Sequence, residues 1–214
     1  MNKKILLALL AMFLVVTSVV FAGGKKEKDD GKIKVTLITM DSIDEHWLKV
    51  KAGAEAKAAE IGNIDLIFAA PSGKVDANAQ LQLVEDAITK QSDAIMLAPL
   101  HAEALIPGVQ KAKDAGITFI HVDCAVNAPI YDAFFATDNG AAARTAADQL
   151  AKLIAGKGKI AIINAQAGAS TTMLRENEFK AQMKANYPEI EIVGVQYSDG
   201  DKTKALNQAQ DFMA

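Results

Sequence analysis

Short apolar runs alternate with longer stretches of helical spacing from residue 33 onward. Most of these runs are continuously apolar, a pattern typical of parallel strands buried on both faces. The pattern predicts strands at Ile33–Met40, Ile64–Ala70, Ala94–Leu100, Ile117–Asp123, Ala133–Thr137, Lys159–Ala165 and Ile190–Tyr197.

The stretches between the runs carry apolar residues on one helical face, as Leu81, Val84 and Ile88 illustrate. Glycines directly follow three of these stretches, where a left-handed residue can end a helix. The predicted helices are Glu45–Ile61, Asp76–Gln91, Ala102–Ala115, Gly140–Ala155, Thr171–Asn186 and Lys202–Ala214, and the terminating glycines are Gly62, Gly116 and Gly156.

A repeated strand–helix–strand order predicts right-handed crossovers and an open, doubly wound α/β sheet flanked by helices. Ligands of such sheets bind outside the carboxyl ends of the strands. The residues that directly follow each strand are therefore the first candidates for a binding site.

The amino-terminal segment has the features of an export signal. Lys3 and Lys4 precede an apolar run of 18 residues from Ile5 to Ala22, and cleavage is expected after Ala22. The run is also close to the length that spans a bilayer, so an uncleaved membrane anchor is the alternative. Both interpretations place the remainder outside the cytoplasm, with the periplasm or secretion as the destination. Residues 23–31 contain no large apolar residue and predict a flexible tether.

Charge and cysteine content exclude several classes. Removal of residues 1–22 takes away two lysines and no acid, which leaves 21 basic against 26 acidic residues. Such an acidic body argues against nucleic acid as a partner. A single cysteine cannot form an internal disulfide, so the fold must depend on its core.

The predicted strand ends and nearby helix starts are rich in the side chains that bind polyols. Carboxylates, amides and arginine form paired hydrogen bonds with neighbouring hydroxyls, and a flat aromatic ring covers the apolar face of a sugar. Together these residues predict a small polyol as ligand: Asp44, Trp47, Asp123, Asn139 and Arg175.

Each of these residues also has a purely structural interpretation. Ser42 and Glu45 have capping-box spacing, so Asp44 could serve only to begin the first helix. Trp47 could belong to the core, Asp123 to a turn, and Arg175 to an exposed helix surface. His101 and His121 are interpreted as a loop residue and a hydrogen-bonded strand residue.

The signals for an enzyme are weak. Cys124 and His121 lie three apart at the end of a strand, where their side chains point to opposite faces, although Cys124 could meet His46 or His101 in space. The sequence contains no dinucleotide fingerprint, phosphate loop, nucleophile elbow or closely spaced zinc motif. A non-catalytic protein without cofactor or metal is therefore expected.

An ordered set of segments resembles the type I periplasmic sugar-binding proteins, the ribose- and galactose-binding group. The segments that carry this resemblance are Val35–Met40 leading through Asp44–Trp47 to Gly53 and Gly62, then Ala94–Pro99, Val122–Asp123, Ala136–Asn139 and Arg175–Phe179. The resemblance implies two lobes that close on a monosaccharide and deliver it to the permease of an ABC importer, and in some cases to a chemoreceptor. It also implies a monomer.

Family positions carry over onto particular residues of this sequence. Asp44 and Trp47 match the positions where the first helix of the family offers an amide and an aromatic wall. Asp123 matches the acid that binds hydroxyls, and Arg175 matches the arginine of the second lobe that reaches the sugar. The resemblance thus implies ligand contacts from Asp44, His46, Trp47, Asp123, Thr137, Asn139 and Arg175, with Thr137 to Asn139 at the first crossing between lobes.

Three departures from the family pattern bear on the ligand. His46 replaces an aromatic residue, Cys124 replaces the arginine common in ribose binders, and Glu178 replaces a glycine. A pentose, a hexose, an inositol or the furanosyl signal autoinducer-2 all fit this pattern. A membrane-anchored sensor of the same fold is the competing function.

The expected domains are a signal peptide at 1–22, a tether at 23–31, an amino-terminal lobe at 32–135 and a partial carboxyl-terminal lobe at 136–214. Only two strands are predicted for the second lobe, whereas a complete lobe needs five or six. The sequence therefore predicts a chain truncated within the second lobe, and weak binding of sugar, or none, by the chain as it stands.

Overall fold

Five parallel strands form the first sheet in the computed structural model, which describes residues 31–72 and 76–214. The strand order is β2-β1-β3-β4-β5, and every neighbouring pair is parallel. The inner strand β1 pairs with β2 through Ile33↔Ile64 and with β3 through Val35↔Ala94. The strands are β1 (Ile33–Ile38), β2 (Ile64–Ala69), β3 (Ala94–Leu97), β4 (Thr118–Val122) and β5 (Ala133–Phe135).

Helices cross between these strands and cover the sheet. They are α1 (Glu45–Ile61), α2 (Ala77–Thr89) and α3 (Ile106–Asp114). The core between sheet and helices contains Leu97 and Phe119 from the strands and Val84 and Val109 from the helices, all fully buried. The predicted α/β class with a parallel sheet flanked by helices is confirmed.

A second, two-stranded sheet follows in the chain. Its parallel strands are β6 (Gly158–Asn164) and β7 (Ile190–Tyr197), and the helices around them are α4 (Asn139–Leu153), α5 (Ser170–Asn186) and α6 (Lys202–Met213). Ala147 and Ala151 of α4 pack against Met183 of α5, and these small residues bring the two helices close together.

Strand β6 pairs only with β7 within the described residues. An apolar groove lies on each side of β6: one is lined by α4 and α5, including Leu150 and Phe179, and the other by Phe212 and Met213 of α6. Apolar surroundings on both faces are typical of an inner strand of a parallel sheet. Strand β6 therefore has the surroundings of an inner strand but pairs with only one other strand in the described residues.

The predicted boundaries hold best where a local signal fixes them. Helix α1 has the predicted bounds, and Gly62 ends it with φ +86° and an N–H bonded to the carbonyl of Ala58. Helix α3 begins at Ile106 instead of Ala102, and β3 ends at Leu97 instead of Leu100. Both differences arise from tertiary hydrogen bonds described below.

Residues 136–138 connect β5 to α4, and Asp138 caps α4 by accepting a hydrogen bond from the N–H of Ala141. The predicted division into lobes at residues 135 and 136 stays a prediction, because Ile33–Ala214 form one compact unit. The predicted signal peptide and nearly all of the tether lie outside the described residues.

Candidate functional site

A cavity of about 300 Å³ lies at the carboxyl ends of strands from both sheets. Residues that follow β1, β4, β6 and β7 line it, together with the starts of α1 and α5. This is the place where open α/β sheets bind ligands. Its lining residues are Met40, Asp41, Asp44, His46, Trp47, Asp123, Ala165, Gln166, Ala169, Thr171, Thr172, Arg175, Asp199 and Gly200.

The turn before α1 is organised by two aspartates. Oδ1 of Asp41 accepts hydrogen bonds from the N–H groups of Ile43 and Asp44 at 2.8 and 2.7 Å. Asp44 is the N-cap of α1, and its Oδ1 accepts from the N–H of His46 at 2.8 Å. Asp44 thus has the capping role and also lines the cavity. The capping-box interpretation of Ser42 was wrong, because Asp44 occupies the cap position.

Trp47 joins the core to the cavity. Its side chain is almost completely buried and packs with Ala98, Cys124, Met40 and Val50, yet one part of it lines the cavity wall. Trp47 is therefore a core residue that also lines the cavity, and its contact with a ligand stays a prediction. The ring of His46 lies edge-on to Trp47, with the ring centres 4.5 Å apart.

Asp123 reaches the cavity through an unusual backbone turn. Its φ is +67°, and the N–H of Cys124 donates to the carbonyl of Val122 at 2.8 Å across it. Such three-residue turns with positive φ are rare and strained, and strained residues concentrate at functional sites. Oδ1 of Asp123 lies 3.6 Å from Nε2 of His46, so a histidine and a carboxylate from two elements face each other.

Cys124 and His121 are both buried and uncharged. The thiol of Cys124 donates to the carbonyl of Pro99 at 3.4 Å, and burial, reinforced by the charge of Asp123, raises its pKa well above the ordinary value. Burial lowers the pKa of His121 to about 4, although its contact with the carbonyl of Leu97 acts in the opposite direction. A protonated thiol is a poor nucleophile, and Cys124 meets neither His46 nor His101 by a described hydrogen bond.

His121 is a strand residue, as predicted, but only one of its two ring nitrogens has a hydrogen-bond partner. Nδ1 lies 3.3 Å from the carbonyl of Leu97, whereas Nε2 is buried without a hydrogen-bond partner. Phe119, Tyr131 and Phe134 surround the ring edge-on. His121 is a core residue beneath the site and does not line the cavity.

Arg175 enters the cavity from α5 and is held by Asn139. Its Nε donates to Oδ1 of Asn139 at 2.6 Å, and Nδ2 of Asn139 donates to the carbonyl of Thr137 at 3.0 Å. Asn139 is buried, Thr137 is exposed, and neither lines the cavity. Of the seven predicted contacts, five meet at one cavity and two, Thr137 and Asn139, do not line it; the five are Asp44, His46, Trp47, Asp123 and Arg175.

Glu176, next to Arg175 on α5, accepts hydrogen bonds from three side chains. Its side chain is almost fully buried and accepts from Nδ2 of Asn164 and the hydroxyl of Tyr197, both at 2.9 Å, and from Lys180. Burial raises the pKa of the carboxyl, but these three donors together hold it below the ordinary value. The network ties α5 to β6 and β7.

The lining residues that the sequence did not single out include Thr171, Thr172, Asp199 and Gly200. Asp199 and Gly200 lie just beyond β7, so the rule of reading strand ends finds them once it is applied to the last strand. Asp199 has φ +54° and an ion pair with Lys204. The threonines carry no local signal, because the start of α5 faces the cavity only through the packing of the two sheets.

The described residues contain no group of three or more His, Cys, Asp or Glu side chains that could hold a metal ion. None of the helices in the described ranges is both long and apolar enough to cross a membrane.

Comparison with known proteins identifies the family. The family model for the periplasmic binding protein domain matches residues 35–214. The chain belongs to this family. The resemblance to sugar-binding members is confirmed by curated relatives of this periplasmic binding protein. One is the D-ribose/D-allose-binding protein of Pseudomonas aeruginosa, 28% identical over 161 residues, which are 72% of this chain and 50% of the relative.

A second relative is the xylitol-binding protein of Mycolicibacterium smegmatis, 27% identical over 87% of this chain and 51% of its own length. The chain thus spans about half the length of these two relatives. Among solved structures, a solute-binding protein of Agrobacterium radiobacter in complex with D-arabinose matches with TM-score 0.82 and 28% identity, over 86% of this chain and 63% of that one. One of Agrobacterium vitis with bound D-fucose matches with TM-score 0.81 and 33% identity, over 84% and 63%.

Proposed function

We propose that this chain captures a monosaccharide or a similar small polyol between its two halves, residues 32–135 and 136–214, as the solute-binding component of an ABC importer. The observation that carries the proposal is the cavity itself, where Asp123 and Trp47 of the first half face Arg175 of the second. Carboxylates accept from sugar hydroxyls, a guanidinium donates to them, and an indole covers the apolar ring face.

The dimensions and origin of the cavity support a small ligand. Its volume of about 300 Å³ is at the lower end of the range for small-molecule sites. Because its lining comes from both halves, a ligand bound there contacts both, and closure of the halves would enclose it. The relatives are named as ribose-, allose- and xylitol-binding proteins, and this points to the same class of ligand.

The remaining parts of the proposal concern location and partners. We propose export to the periplasm with cleavage after Ala22, action as a monomer, and no catalytic activity. The permease of the importer is the proposed partner, and a chemoreceptor is a further one. The alternative is a membrane-anchored sensor, which requires that residues 1–22 stay attached. The mass of the exported protein separates the two, because a chain that begins at Gly23 cannot be anchored by that segment.

Fluorescence titration of residues 23–214 tests ligand capture. Trp47 is the only tryptophan in the chain, so the indole signal reports on the cavity wall alone. We expect at least one of five polyols to change this signal saturably: D-ribose, D-allose, D-arabinose, D-fucose and xylitol. An amino acid such as glycine should leave the signal unchanged. We expect weak binding from this chain, so the titration extends to millimolar sugar. Absence of a saturable change with all five polyols would contradict the proposal.

A further inference from the structure

The two halves of the chain also touch beside the cavity. Ala102, in the segment after β3, donates its N–H to the carbonyl of Gly168 at 3.0 Å. In the opposite direction, Nε2 of Gln166 donates to the carbonyl of Leu100 at 3.0 Å. These two hydrogen bonds join the segment 100–102 of the first half to the segment 166–168 of the second. We call this contact the 100/168 contact.

The ring of His101 packs against the α-carbon of Gly168. A β-carbon at position 168 would lie 2.7 Å from Cδ2 and 2.8 Å from Nε2 of His101, closer than van der Waals contact allows. The ring has little freedom to move away, because its Nδ1 accepts hydrogen bonds from the N–H groups of Glu103 and Ala104 at 3.2 and 3.3 Å. Only glycine permits this approach of the two halves.

Gln80 fixes the first-half side of the contact. It is fully buried in α2, and its Nε2 donates to the carbonyls of Thr39 and Ala98 at 3.1 and 2.8 Å. Its Oε1 accepts from the N–H of Leu100 at 2.7 Å. The segment 100–102 is therefore presented by a rigid support, and it does not depend on the second half for its shape.

The packing of His101 on Gly168 lies next to the binding cavity but is not part of its lining. Gln166 lines the cavity with its neighbour Ala169, whereas Leu100, His101, Ala102 and Gly168 do not. Gln166 is the one residue of the contact that also faces the cavity, so changes at His101 or Gly168 leave the cavity lining intact. Closure of the halves around a ligand would form the 100/168 contact in the same movement. Ligand binding and formation of the contact are then coupled, so each favours the other by the same free energy.

We propose that the 100/168 contact is a latch for the closed state, with His101 and Gly168 as positioning residues that set how readily the halves close. This inference rests on the proposed function, because it assumes that the halves open and close around the ligand. A latch outside the cavity changes the affinity for every ligand alike by shifting the fraction of closed protein. It would therefore tune affinity without altering which sugar is preferred.

Distances between the halves test the latch directly. The Cys124→Ser chain of residues 23–214 receives two further substitutions, Lys49→Cys in α1 and Lys202→Cys in α6, at exposed positions that accept spin labels. Pulsed electron paramagnetic resonance then measures the distance between the labels, which increases when the halves open. Gly168→Ala should lower the ratio of closed to open chains by roughly 5-fold or more, as expected for overpacking of a tight contact. The ratio is measured without sugar and with millimolar D-arabinose.

Two further variants separate the ring contact from backbone strain. Gly62 has φ +86°, close to the +89° of Gly168, but a β-carbon there meets nothing within 4 Å. Gly62→Ala should leave the ratio unchanged. Adding His101→Ala to Gly168→Ala removes the clashing ring and should restore most of the closed population.

The outcomes distinguish the latch from the sugar-binding proposal. The latch would be overturned if Gly168→Ala had the wild-type ratio of closed to open chains. It would also be overturned if the double variant with His101→Ala lost as much of the closed population as Gly168→Ala alone. If Gly168→Ala opens the chain as expected while D-arabinose and the other polyols change neither distance nor fluorescence, the latch stands and sugar capture fails. If the polyols close wild type and Gly168→Ala equally well, sugar capture stands and the latch fails.

Discussion

Arg175 Nε and Asn139 Oδ1 form a hydrogen bond of 2.6 Å that joins α5 to the first residue of α4. Asn139 is buried and does not line the cavity, whereas Arg175 does. The amide therefore fixes the direction of a guanidinium that could otherwise take many rotamers. Side-chain freedom lost before binding is not lost again when a ligand arrives.

Removal of this support should weaken binding. Asn139→Ala leaves Arg175 in place but takes away its acceptor, and hydrogen bonds to charged groups contribute about 1.5–3 kcal/mol. We expect the affinity for the best polyol to fall roughly tenfold or more, measured by Trp47 fluorescence. Asn186→Ala is the matched control, because that exposed amide bonds only within α5. Equal affinities of Asn139→Ala and wild type would show that Arg175 needs no support.

Asp123 should contribute through both its charge and its backbone conformation. Asp123→Ala removes the acceptor for sugar hydroxyls and places alanine at φ +67°. Asp123→Asn keeps one acceptor oxygen, now of an amide, and asparagine tolerates positive φ. Loss of the acceptor should cost about 1–3 kcal/mol of binding free energy. Urea denaturation should show Asp123→Asn close to wild type in stability and Asp123→Ala below it. Unaltered sugar affinity in both variants would mean that the site lies elsewhere.

The network around Glu176 should make the fold sensitive to acid. The folded pKa of Glu176 is lowered by Lys180, Asn164 and Tyr197, so its contribution to stability is present above the unfolded pKa of about 4.3 and is lost as pH falls through the folded value. Glu176→Gln should lower the free energy of unfolding by about 1–3 kcal/mol at pH 7, with a smaller difference from wild type at pH 3.

Glu178 provides the control for this effect on the same helix. It is half-exposed and pairs with Arg144, an arrangement that contributes little to stability. Glu178→Gln should therefore follow the wild-type curve of unfolding free energy against pH. A loss of stability in Glu176→Gln that stays constant between pH 7 and pH 3 would show that packing, not charge, is the cause.

Cys124 should behave as a core residue. Its thiol is buried, its pKa is raised, and serine can donate to the carbonyl of Pro99 in its place. Cys124→Ser should bind the best polyol within about twofold of wild type, since 0.4 kcal/mol or less separates such values. The folded wild-type thiol should react with a disulfide reagent only as fast as the chain unfolds. Fast labelling of the native chain would contradict the burial of this side chain.

Local signals predicted much of this fold, and tertiary contacts account for most of the differences. Helix α1 was correct at both ends because Asp44 and Gly62 supply its cap and its stop. Strand β3 ended early because the Gln80 side chain, and not a neighbouring strand, bonds the backbone there: its Nε2 donates to the carbonyl of Ala98, and its Oε1 accepts from the N–H of Leu100. Helix α3 began late because the carbonyl of Ala102, which a helix starting there would pair with the N–H of Ile106, accepts instead from the N–H of Asn127. No local pattern contains these pairings.

The site shows the same division. Asp123 could be found because it directly follows a buried strand, and the rule that ligands meet strand ends applies to it without knowledge of other residues. Asn139 was predicted to contact the ligand, but it does not line the cavity, and its hydrogen bond to Arg175 spans 36 positions. Sequence spacing cannot show whether such a residue touches a ligand or supports the residue that does.

The half-paired strand β6 has a consequence for how this chain is handled in the laboratory. One row of its backbone N–H and C=O groups has no strand partner in the described residues, and apolar grooves flank it on both faces. Such an edge accepts other extended segments, including those of a second molecule. The yield of soluble chain should therefore fall as protein concentration rises during refolding, and dilution should recover it.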